Sequence, residues 1–139
     1  YEASYIPPLN LFLDLLREGC RQVFIEENDL RELVETKLDI ILPDELFADA
    51  DGGWRAADAS RIIAPLAECF VRLSRFQPLI LLLDDVQWAD ETSRNIIGYL
   101  MRIAKDAPLM ILGLTRRAEA ENSRNPFAGW LQAQAAYRS

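Results

Sequence analysis

Two short runs of aliphatic residues dominate the hydrophobic pattern of this chain. Residues 79–83 are apolar at every position and lead directly into Asp84 and Asp85, and a second run follows at 109–114. Because the side chains of a strand alternate between two faces, a short run without alternation predicts a strand that is buried on both faces. Such strands belong to parallel sheets that helices cover on each side. The pattern therefore predicts an α/β fold with parallel strands at about 79–84 and 109–114.

Apolar residues recur at helical spacing in five further segments. The predicted helices span about 9–24, 29–38, 59–76, 91–105 and 127–137. Aspartate and asparagine favour helix starts, so we expect Asn28 or Asp29 to cap the second helix and Asp90 to cap the fourth. Pro65 is expected near the start of the third helix, where proline is tolerated. Strand, helix and strand with short links form a βαβ unit, so the strands should be parallel with a right-handed crossover.

The other segments are predicted to lack regular structure. They are an extended segment at 1–8, an acidic loop at 44–53 and a polar loop at 119–125. Asp49 and Asp51 superficially match a calcium loop. In the EF-hand register, however, the first ligand position falls on Phe47 and the spacing fails. A solvated loop is therefore the better interpretation of this charge cluster.

Charge and the absence of histidine restrict the function. The 139 residues make about one domain, and 50% of them are hydrophobic, so the chain can bury a core. Without histidine, Ser-His-Asp catalysis, Cys-His catalysis and His-ligated zinc are excluded. A net charge of −7 argues against direct nucleic-acid binding, which needs a basic surface. Carboxylate, arginine and hydroxyl chemistry remains, and it suits Mg²⁺.

The sequence also predicts a cellular location. No apolar run approaches the roughly 20 residues that span a bilayer, and no basic-then-apolar leader is visible. We therefore expect a cytoplasmic protein with no membrane partner. Cys20 and Cys69 form no Cys-x-x-Cys pair, so two reduced and buried thiols are expected.

The two aspartates follow the first predicted strand, and this position suits ligand chemistry. In open α/β sheets, ligands bind at the carboxyl ends of the strands. In a nucleoside triphosphatase, one acid there holds Mg²⁺ and a second polarises the attacking water. An aliphatic run that ends in Asp84 and Asp85 also fits a buried strand emerging into an acidic turn. The seven residues alone leave both interpretations open.

The surrounding residues resemble a known ATPase family. Residues 78–93 have the sequence PLILLLDDVQWADETS, and residues 108–117 have the sequence PLMILGLTRR. Together they resemble the AAA-type ATPase module of STAND-class signalling proteins, which is found in large LuxR-type transcriptional regulators and origin-recognition-type ATPases. The segment at 5–9 is similar to the "YxPxxxxL" opening of that module. The resemblance implies a partial P-loop NTPase fold of three layers.

The resemblance also implies roles for five residues. Asp84 would hold Mg²⁺ through water as the Walker B acid, and Asp85 would be the catalytic acid. Thr115 and Arg116 would occupy the sensor-1 position, which reads the γ-phosphate. Gln87 is a further candidate for cofactor binding, with hydrogen bonding within the turn as its alternative. The implied cofactors are ATP and Mg²⁺.

Three neighbouring residues receive structural interpretations. We expect Trp88 and Ala89 to pack the turn against the core. Arg117 is expected to be a solvated residue at a strand exit.

The phosphate-binding loop of such a site is missing from the sequence. A P-loop, G-x-x-x-x-G-K-[ST], cradles phosphates with its backbone amides and its lysine. Lys37 follows Thr36 and Lys105 follows Ala104, so the chain contains no Gly-Lys pair. We therefore expect residues 1–139 to be a single partial ATPase domain, truncated at both ends and inactive alone. The strand at 109–114 would then expose an apolar edge.

The sequence supports one main functional hypothesis and two alternatives. The main hypothesis is a fragment of an ATP-dependent switch domain of a signalling or transcriptional regulator. Its implied partners are nucleotide, the other domains of the parent, and further copies in nucleotide-dependent self-association. The alternatives are a non-enzymatic α/β protein-interaction module and, less favoured, a helicase-like motor.

Overall fold

Six helices and two parallel strands make up the part of the chain that the computed structural model describes, namely residues 8–24, 29–47, 56–122 and 124–136. The helices are α1 (Pro8–Val23), α2 (Leu30–Lys37), α3 (Ala56–Phe76), α4 (Glu91–Ile103), α5 (Arg117–Ala120) and α6 (Pro126–Ala136). The strands are β1 (Leu79–Leu83) and β2 (Leu109–Gly113). The expectations for residues 1–7, for the end of the acidic loop and for Tyr137 lie outside the described residues.

The predicted helix caps are confirmed. Oδ1 of Asp29 accepts a hydrogen bond of 2.9 Å from the backbone N–H of Arg31, and α2 begins at Leu30, directly after Asp29. Oδ1 of Asp90 accepts one of 2.7 Å from the backbone N–H of Ser93 at the start of α4. Each carboxylate satisfies a backbone donor that has no partner within its helix.

Three local expectations were wrong. Pro65 lies in the interior of α3, although it cannot donate a helical hydrogen bond. The buried side chains of Ile62 and Leu66 flank it, so tertiary packing maintains the helix there. The acidic loop begins with a 3-10 turn at Asp44–Phe47. The polar loop overlaps the short helix α5, whose two alanines and one glutamate are good helix formers.

The two strands pair in parallel, as the pattern predicted. The register runs from Leu79 opposite Leu109 to Leu83 opposite Gly113. With the flanking helices, this pairing confirms the α/β fold class.

Only one face of the described sheet is buried. Leu81 and Leu83 belong to the hydrophobic core together with residues of α1, α3 and α4. Ile80 and Leu82 point the other way and are 68% and 56% exposed. The prediction that this strand is buried on both faces is therefore wrong for the described chain, because its helices pack on a single face.

The helices α1, α3 and α4 form the core beneath that face. Phe12 of α1 and Phe70 of α3 meet edge to face, with ring centroids 6.4 Å apart. The expectation of two buried, unpaired thiols is confirmed for Cys20 and Cys69. This helical layer supports the strands from below, so the strand ends are placed by packed elements.

Candidate functional site

The carboxyl ends of the two strands are joined by backbone hydrogen bonds around Leu114. Its N–H donates to the carbonyl of Leu83 at 2.8 Å, and its carbonyl accepts from the N–H of Val86 at 3.0 Å. The turn that carries Asp84 and Asp85 lies between these two bonds. Because Thr115 follows Leu114, both predicted groups of polar residues lie at the same edge of the sheet.

The Asp84–Asp85 turn has a defined geometry. Oδ1 of Asp84 accepts a hydrogen bond of 2.9 Å from the backbone N–H of Asp85. The backbone of Asp85 is left-handed, with φ 51° and ψ 41°, a conformation that aspartate tolerates better than most residues. Both side chains are exposed. The turn therefore presents two carboxylates to solvent from a fixed backbone.

Gln87 lies behind the acid pair, inside the protein. Its side chain is 2% exposed, and its Nε2 donates to Oδ1 of Asp85 at 3.0 Å. Its Oε1 is buried, and no described residue donates to it. The turn hydrogen bond expected as one interpretation of Gln87 is thus present.

Trp88 does not pack the turn against the core. Its side chain is 68% exposed, so that expectation was wrong. Val86–Trp88 forms a 3-10 turn, in which successive side chains point about 120° apart. Gln87 and Trp88 therefore cannot both face the interior, and the glutamine occupies the inner position.

Thr115 and Arg116 follow β2 as exposed residues. Oγ1 of Thr115 lies 3.4 Å from the carbonyl oxygen of Arg116. Within the described chain, Arg116 makes no ion pair. By contrast, Nε of Arg117 lies 2.9 Å from Oε1 of Glu121, and the side chain of Arg117 is 90% exposed, as expected for a solvated residue.

A cavity of about 970 Å³ lies beside the second strand end. Residues of α4, β2 and α6 line it, and Ile111, Phe127 and Thr115 are among them. Asp84, Asp85 and Gln87 do not line it. This cavity therefore adjoins Thr115, whereas the side chains of Asp84 and Asp85 are not part of its lining.

The acid pair fits a weakly held magnesium ion better than a closed metal centre. Among the described residues, no group of three or more histidine, cysteine or acidic side chains could enclose a metal. Mg²⁺ commonly uses one or two carboxylates and completes its shell with water and substrate phosphates. No described residue donates to Oδ2 of Asp84 or Asp85, so each carboxylate keeps one oxygen available.

The described part of the chain also lacks a membrane-spanning element. None of its helices combines the length and the apolar character needed to cross a bilayer.

Comparison with known proteins identifies one family. The sequence model of a family described as AAA ATPase domain matches residues 2–112. The match includes Asp84, Asp85 and Gln87, whereas Thr115 and Arg116 lie beyond its end. No curated protein and no solved structure matches the chain.

Proposed function

This chain belongs to the AAA ATPase domain family, and we propose that it provides the residues of an ATP site that hold Mg²⁺ and the attacking water. The observation that carries this proposal is the meeting of the two strand ends. The bonds from Leu114 to Leu83 and Val86 hold the acid turn beside the segment that begins with Thr115. Ligands of parallel sheets bind at such an edge.

The available groups support a division of roles. Asp84, at the strand end, would hold Mg²⁺ through water, and the ion when bound would neutralise charge on the phosphates. Asp85 would orient and polarise the attacking water. Thr115 and Arg116 would read the γ-phosphate, and Arg116 is free of ion pairs with described residues. Gln87, which lies behind Asp85, would contribute its hydrogen bond to the Asp85 carboxylate.

In our proposal, the loop that binds the phosphates is not part of residues 1–139. With Lys37 and Lys105 as its two lysines, neither after a glycine, the chain has no P-loop. Residues 1–139 are then a single partial domain, and the parent is a cytoplasmic signalling or transcriptional regulator. In that parent, ATP and Mg²⁺ would switch the protein between inactive and active assemblies, through its other domains or through self-association.

The decisive variant is Asp85→Asn in the natural full-length protein. Asparagine keeps the size and tolerates the left-handed backbone, but it cannot accept a proton from water. We expect ATP turnover to fall by about 100-fold or more, in line with the loss of general-base catalysis, with ATP affinity unchanged. Asp106→Asn, at an exposed aspartate beyond α4, is the matched control. Unchanged turnover in Asp85→Asn would contradict the proposal.

A protein-interaction module is the second candidate function. It is favoured by the exposed apolar face of the sheet, which consists of Ile80, Leu82, Met110 and Leu112. Apolar patches of this kind often mark contact surfaces. The coding sequence ahead of Tyr1 discriminates between the two candidates. A G-x-x-x-x-G-K-[ST] loop within a few tens of codons supports the ATPase, and its absence supports the interaction module.

A further inference from the structure

In the turn after the acid pair, the polar residue is buried and the apolar residue is exposed. Gln87 is 2% exposed, whereas its neighbour Trp88 is 68% exposed. Burying tryptophan is favourable, and burying a primary amide is unfavourable unless it is hydrogen-bonded. Packing alone would therefore select the opposite arrangement. The inner position of Gln87 must therefore provide a favourable interaction that the burial of Trp88 would not provide.

That favourable interaction is the hydrogen bond to Asp85. Nε2 of Gln87 donates to Oδ1 of Asp85 at 3.0 Å. The carboxylate fixes the orientation of the amide, because the reverse orientation would set Oε1 of Gln87 against a carboxylate oxygen. The bond holds one oxygen of Asp85 and leaves Oδ2 without a described donor.

The same orientation leaves one buried group without a partner in the described part of the chain. Oε1 of Gln87 has no donor among the described residues. A buried, unpaired carbonyl is destabilising, and an apolar side chain of the same size would avoid the penalty. For stability alone, methionine would therefore suit this position at least as well as glutamine.

We infer that Gln87 is a positioning residue for Asp85. It fixes the side-chain rotamer of Asp85, so that Oδ2 is the oxygen directed at the nucleophilic water. This inference rests on the proposed function, because it assigns Gln87 a part in the same water-activating step. Gln87 would then act through its hydrogen bond to Asp85 and not by binding the cofactor directly.

The test is Gln87→Met in the natural full-length protein. Methionine preserves the length and volume of the side chain but removes the donor. We expect kcat for Mg-ATP hydrolysis to fall by roughly 10- to 100-fold, the effect of a misdirected catalytic group. KM for ATP should stay within about twofold, because phosphate binding is untouched. The melting temperature should not fall, because the unpaired carbonyl is also removed.

Three comparisons decide the outcome. Gln132→Met, at an exposed glutamine of α6, is the matched control and should behave as wild type. Gln87→Leu is the second variant, should the methionine variant fail to fold. If Asp85→Asn abolishes turnover while Gln87→Met keeps kcat within twofold, the inference is overturned and the proposed function stands. If wild-type protein shows no turnover that depends on Asp85, both are overturned.

Discussion

Asp85 has one distinctive backbone property and one distinctive side-chain property. It adopts φ 51°, where most side chains are strained, and its carboxylate is held by the amide of Gln87. Asp85→Ala would change the backbone preference and the side-chain chemistry together. Asp85→Asn changes mainly the chemistry, which is why it is the informative variant. A similar separation makes Gln87→Met more useful than a truncation to alanine.

The two thiols predict an alkaline limit to stability. Burial raises the pKa of Cys20 from 9.0 to about 11. Burial, with a smaller contribution from the neighbouring Cys20, raises the pKa of Cys69 to about 12. The folded state therefore retains protons that the unfolded state loses above pH 9. The stabilisation from the neutral thiols should be complete below pH 9 and disappear as the pH rises towards 12.

Urea denaturation measured between pH 8 and pH 11 checks this prediction. The variant with both Cys20→Ala and Cys69→Ala is the control, because it keeps every other titrating group. Wild-type stability should decline more steeply with pH than that of the control. Parallel curves would show that the thiols do not carry the effect.

Adjacent residues of β1 should respond differently to truncation. Leu81 is 7% exposed and packs in the core, whereas Leu82 is 56% exposed on the outer face. We expect Leu81→Ala to lower the free energy of unfolding by about 2–5 kcal/mol, because it leaves a cavity. Leu82→Ala should change it by about 0.5 kcal/mol or less.

Equilibrium unfolding in urea measures both values. The two variants make the same chemical change at neighbouring positions, so each controls for the other. Equal losses would mean that the outer face is covered in solution.

The elements that sequence predicted well are those determined by local interactions. Asp29 and Asp90 cap helices through bonds to residues two or three positions away, and the sequence displays those spacings. The sequence did not predict that β1 is buried on one face only, because residues 79–83 do not determine how many layers of helices cover the sheet. The interior position of Pro65 was missed because it depends on the packing of Ile62 and Leu66.

The site shows the same division. The placement of Asp84, Asp85 and Thr115 at one edge of the sheet follows from parallel strands, which the pattern implies. The burial of Gln87 and the exposure of Trp88 do not follow from that pattern. Hydrophobicity favoured a buried tryptophan, and the phase of a three-residue turn cannot be obtained from its composition. A glutamine two residues after the acid, within reach of its carboxylate, was the available signal.

At the scale of the whole molecule, the chain should bind nucleotide poorly when isolated. It carries two candidate acids for Mg²⁺ but no P-loop lysine, and its net charge of −7 repels an anionic ligand. Isothermal titration of the 139-residue chain with Mg-ATP should give no binding at micromolar concentrations. A version extended to include an upstream P-loop is the positive control. Micromolar affinity in the isolated chain would require a second phosphate-binding mode.

The parallel pairing of β1 and β2 also orders the events of folding. Every bond between them joins residues on opposite sides of α4, so no part of the sheet can form as a local hairpin. Contacts within and between the helices are closer in sequence than the strand pairing, so α3 and α4 can dock before the strands close the intervening loop. The bonds of Leu114 that hold the Asp84–Asp85 turn would then be among the last to form. A partly folded chain would therefore have most of its helices but not the proposed magnesium site, which would form only when the sheet is complete.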